Sequence, residues 1–127
     1  MDEEREHAAA ALIALRTAIR WRADTAPEQS RQRIRVLIRL GHLPLGATLA
    51  TYEEIVTAVA ADRAAEVFLG ASGEVAVLSN AAGRPWIVVC DRAGVVETAF
   101  PSAVPAAFLC DPRFTRLGVA RSIVGER

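Results

Sequence analysis

The sequence predicts an α+β domain in which N-terminal helices pack on one face of a four-stranded antiparallel meander, with a short C-terminal helix. Three observations carry this reading. Residues 4–63 place apolar side chains at helical spacing behind helix-start signals. Residues 66–100 change to short apolar runs separated by Gly-containing turns of a few residues, the pattern of antiparallel neighbours. The chain of 127 residues is 52% hydrophobic, enough for the core of one domain and too short for two stable ones. The domain therefore spans 1–127, with residues 1–40 as a helical part and 41–127 as a helix plus sheet.

The elements follow in order. Residues 4–23, EREHAAAALIALRTAIRWRA, lack Gly and Pro and repeat Leu12, Leu15 and Ile19 on one face, which predicts a long first helix with high intrinsic propensity. Thr25-Ala-Pro-Glu28 reads as a capping box with Pro in the first turn. The second helix runs to about Leu40, with Ile34, Leu37 and Ile38 inward and Gly41 as the residue that closes it. After the loop His42–Ala50, a second capping box, Thr51–Glu54, starts a third helix ending near Arg63. Strands are expected at Glu66–Leu69, Glu74–Ser79, Trp86–Asp91 and Val95–Phe100, and a short helix at Ser102–Cys110.

Formal charge is zero and the pI is about 6.7, so no global electrostatic argument points to nucleic acid. The distribution is uneven. Every basic residue is Arg, a usage typical of a GC-rich bacterial genome, and residues 16–39 hold seven of them against Asp24 and Glu28. Arg31, Arg35 and Arg39 line one helical face, readable as a solvated surface, a phosphate-contacting surface for RNA or a docking surface for an acidic partner. The Ala-rich first helix offers a surface for a homo-oligomer. Cys90 and Cys110 lack metal-ligand spacing and read as free, buried thiols in a reducing cytoplasm. The acidic start MDEEREH is wrong for a signal peptide, and no apolar run approaches the roughly 20 residues of a spanning helix. A cytoplasmic protein without membrane contact, metal or cofactor is expected.

No phosphate-binding Gly loop, nucleophile elbow or zinc-protease motif is present. His42, just past a helix end, is the more interesting of two histidines, since His7 reads as exposed on the first helix. Arg84 precedes Pro85 and Trp86 and reads as a turn residue or as a guanidinium aimed at phosphate. In the fourth strand, alternation puts Val96, Thr98 and Phe100 on one face and Val95, Glu97 and Ala99 on the other. Glu97 is then an awkward acid inside a strand that reads as core, unless the strand lies at an edge. Tyr52, in the first turn of the third helix, is a weaker candidate.

The helix ending beside His42, the helix TYEEIVTAVAAD, the strands EVAVLS and WIVVCD, and the last strand VVETAFP together resemble the barnase–EndoU–colicin D–RelE-like superfamily over about residues 34–101. These are small toxin and phage-associated RNase domains. The resemblance implies a metal-independent endoribonuclease in which the 2′-hydroxyl attacks the adjacent phosphorus. His42 would act as acid or base, Arg84 would stabilise the phosphorane and Thr98 would donate to a phosphate oxygen, with Glu97 and Tyr52 as weaker participants. Such toxins are usually basic and often carry Lys beside the His. This chain is neutral, with Leu40 and Gly41 there instead. A second function of a different class is therefore carried alongside: a non-catalytic interaction module, such as an inactive nuclease-like domain, an inhibitor, or a subunit of a phage or mobile-element system. Its partner would be a cognate inhibitor or another protein.

Overall fold

A computed structural model describes residues 3–22, 27–109 and 113–125, and of residues 27–30 the backbone alone. In chain order the elements are α1 (Glu3–Thr17), β1 (Arg20–Trp21), α2 (Pro27–Arg39), α3 (Leu49–Ala61), β2 (Glu66–Gly70), β3 (Val75–Ala81), β4 (Arg84–Cys90), β5 (Val95–Pro101), α4 (Pro105–Phe108), β6 (Phe114–Val119) and α5 (Ala120–Ile123). The class is α+β and the meander β2–β5 is present, each strand within two residues of its expected bounds. The sheet, however, has six strands in the order β1-β5-β4-β3-β2-β6, not four. β1 joins parallel to β5, and β6 joins antiparallel to β2.

Both added strands come from segments whose sequence hides them. The first helix stops at Thr17 rather than running on to residue 23. Trp21 instead stacks on Tyr52 at 5.3 Å and donates its indole N–H to Glu53 at 2.7 Å, while the Arg22 amide bonds the Val96 carbonyl. Tertiary packing here outweighs helix propensity. β6, FTRLGV, contains Gly118 and carries a register shift opposite Val67 and Phe68, so its alternation is broken in the sequence itself.

The core lies between the helices and one sheet face. Ala8, Ala11, Leu12 and Leu15 of α1, Ile34 and Leu37 of α2, and Tyr52, Ile55, Val56 and Val59 of α3 pack on Val67, Val75, Val77, Trp86, Val88, Cys90, Val96 and Ala99. The Ala-rich face of α1 is thus occupied within the chain. Its small side chains let the β4–β5 turn approach so closely that a Cβ on Gly94 would lie 2.7 Å from the Ala11 carbonyl oxygen. The opposite sheet face, expected to be partly open, carries a smaller cluster of Phe68, Ala76, Ile87, Val89, Leu109 and Phe114. Phe108 from α4 closes over it, edge-on to Phe100 and beside Phe114, with Arg113 stacked on its ring. α4 is four residues long, shorter than the expected helix at 102–110.

Helix boundaries follow local chemistry. Gly41 closes α2 as expected: it adopts φ +77°, its amide bonds the Ile38 carbonyl, and the His42 amide bonds the Leu37 carbonyl. The start of α3 differs from expectation. Thr48, not Thr51, is the cap. The Thr51 amide donates to the Thr48 hydroxyl, and the Thr48 amide donates to the Thr51 hydroxyl at 3.1 Å. The expected cap at Thr25–Glu28 and the cysteine Cys110 lie outside what is described. Cys90 is a free, buried thiol. Among the described residues no helix is long and apolar enough to cross a membrane.

Candidate functional site

Two of the sequence-derived site residues meet. His42 is held half-buried just after the hydrogen-bonded turn that ends α2. Arg84 opens β4 after the two-residue hairpin Ala82-Gly83, whose positive φ values of 51° and 80° suit a tight turn between twisted strands. The Arg84 guanidinium contacts His42 Nδ1. Arginine can only donate, so in this contact Nδ1 is the acceptor. Among the described residues no carboxylate pairs with either side chain.

Thr98 does not join them. It pairs with Val89 on the sheet face turned away from the main helices, whereas Arg84 lies on the helix-facing side with Trp86 and Val88. Val89, the partner of Thr98, stands five positions along β4 from Arg84, about 16 Å at ~3.3 Å per residue. Glu97 is the extra residue of a β-bulge, because Val89 pairs with Thr98 and Cys90 with Val96. The bulge overturns the simple alternation: Val96 and Ala99 share the helix-facing core, and Thr98 and Phe100 share the other side. Glu97 thereby leaves the core and pairs with Arg22 at 3.5 Å. Tyr52 is fully buried, with its hydroxyl donating to the Ala99 carbonyl. Burial raises its pKa above 10.0, opposed by the nearby, hydrogen-bonded Arg33 and by the Ala99 contact. It is a structural phenol beneath the helices.

Arg31, Arg35 and Arg39 are exposed on α2, as the sequence indicates. The sequence reading passed over their neighbours. Val36 is 49% exposed and Leu40 61%, one turn apart, and Leu45 in the following loop is 94% exposed. With Leu49 at the start of α3, four of the six large exposed hydrophobics among the described residues fall on this stretch. The available signal was two apolar residues at i, i+4 spacing outside the Ile34–Leu37–Ile38 stripe.

The arrangement is thus a basic and apolar outer surface ending at a His–Arg pair rich in donors. Among the described residues no group of three or more His, Cys, Asp or Glu side chains could hold a metal ion. Comparison of the chain with protein-family models, curated proteins and solved structures gives no match.

Proposed function

We propose that this chain is a non-catalytic interaction module that docks an acidic protein partner on the outer face of α2 and the loop after it. The observation that carries this reading is the run of exposed Val36, Leu40 and Leu45 beside exposed Arg31, Arg35 and Arg39. Exposed apolar side chains interleaved with one sign of charge favour a partner that supplies both apolar anchors and carboxylates. RNA fits less well. Single-stranded RNA is held by aromatic stacking platforms along a basic groove, and among the described residues no aromatic side chain is one of the exposed large hydrophobics. The endoribonuclease reading needs His42, Arg84 and Thr98 around one phosphate, and the strand register puts Thr98 on the other side of the sheet from Arg84.

A photo-crosslinking residue placed at Leu45, in cells making the full chain, is expected to capture protein through a segment rich in Asp and Glu. The same residue at Thr57, exposed on α3, is expected to capture none of it. Capture of RNA from position 45, or equal capture from both positions, overturns the reading. So does cleavage of total RNA in EDTA that His42→Ala abolishes.

A further inference from the structure

We propose that the His42–Arg84 pair is the point at which the acidic partner sets a carboxylate, and that docking there takes up a proton on His42; this rests on the docking surface proposed above. The pair is chemically one-sided. With Nδ1 accepting from Arg84, the remaining polar hydrogens, on Nε2 and on the guanidinium, are all donors. Both side chains are half-buried, and neither has a carboxylate partner among the described residues. Two donors held on separate rigid turns, the close of α2 and the β3–β4 hairpin, form a fork that an incoming carboxylate can bridge.

The proton follows from the same geometry. An imidazolium has no lone pair with which to accept from Arg84, so the contact seen here needs Nδ1 without a proton. A bridging carboxylate gives Arg84 a better acceptor and places negative charge beside the ring. Nδ1 is then released to bind a proton from solvent, and the ring becomes imidazolium paired with the carboxylate. Arg84 faces the ring from β4, and Arg39 stands three residues before it on α2. Residues 43–51 hold no ionisable side chain, Tyr52 is engaged with Ala99, and Glu53 of α3 is engaged with Trp21.

The test is imidazole nitrogen NMR on the full chain, where the exposed His7 serves as internal reference. The probe is an amphipathic helical peptide with Leu on one face and Glu on the other. Free protein is expected to show His42 as the Nε2–H tautomer. At pH 7 the peptide should move the His42 ring nitrogens toward imidazolium positions and leave His7 unmoved. Arg84→Gln should weaken binding about tenfold, the scale of one charge-assisted hydrogen bond, and remove the His42 response. Arg84→Lys, which keeps the charge without the fork, should fall between them and covers a failure of the glutamine variant to fold. Peptide that binds without moving His42 overturns this inference and leaves the docking surface standing. Peptide that does not bind overturns both. Inorganic phosphate acting on His42 at lower concentration than acetate overturns the carboxylate assignment.

Discussion

Tyr52 shows how a polar atom deep in an apolar layer is accommodated. Its ring lies against Trp21 and Trp86, and its hydroxyl reaches the Ala99 carbonyl of β5. Tyr52→Phe keeps the ring and strands that buried carbonyl, so a loss of about 1–3 kcal/mol is expected in urea denaturation followed by tryptophan fluorescence. An unchanged midpoint would show that the hydrogen bond contributes nothing. Much of the site was hidden at this scale. His42 and Arg84 each stood out in the sequence, but their contact joins residues 42 positions apart, and nothing local announces it. Glu97 was visible as an anomaly. The bulge that resolves it adds one residue to β5 without any Gly or Pro to mark it, so a strict two-residue period put Val96 on one face with Thr98 and Phe100, when Val96 lies on the opposite face from both.

Among the elements, α3 separates two readings of one stretch. Thr51–Glu54 has the spacing of a capping box, yet the cap is Thr48, with Thr51 as its reciprocal partner. Thr48→Ala is therefore expected to lose about 1 kcal/mol, and Glu54→Ala, on an exposed position, to stay within about 0.5 kcal/mol of wild type. The reverse order in chemical denaturation would restore the sequence-derived cap. The α1 packing supplies a second contrast. Gly94 and Gly83 both have φ near +80°, but only at Gly94 would a Cβ meet backbone, the Ala11 oxygen at 2.7 Å and the Leu15 nitrogen at 3.0 Å. Gly83→Ala should cost about 1–2 kcal/mol through backbone conformation alone, and Gly94→Ala distinctly more because α1 must shift. Equal losses would mean that α1 is not held closely against this turn. The meander was legible because Gly-marked turns punctuate it. β1 and β6 were not, because one is two residues long inside a helical-looking stretch and the other has an irregular register.

For the whole molecule, the helix-facing core sets an alkaline limit. Burial, with Asp91 and Glu97 nearby, pushes the Cys90 thiol from 9.0 up to about 12. The unfolded chain thus loses this proton first as pH rises, and stability falls between about pH 9 and pH 12 by up to ~1.4 kcal/mol per unit. Below pH 9 this group has no effect. Cys90→Ala should flatten that slope, although it lowers stability at neutral pH by leaving a small cavity. A parallel slope in the variant would place the alkaline transition on other groups, of which Tyr52, raised by the same burial, is the first to examine.

The proposed function rests on the molecule's outer face, where an acidic protein rather than RNA is proposed to bind beside α2. The most direct measurement is fluorescence anisotropy of the labelled Leu/Glu peptide and of a single-stranded RNA against wild type and a Leu40→Gln/Leu45→Gln variant. The apolar side chains are worth about 1.5–3 kcal/mol each when fully buried, so the variant is expected to bind the peptide at least about tenfold more weakly. RNA should bind wild type more weakly than the peptide does, with no change in the variant. Tighter binding of RNA, or peptide binding that ignores both substitutions, would contradict the account.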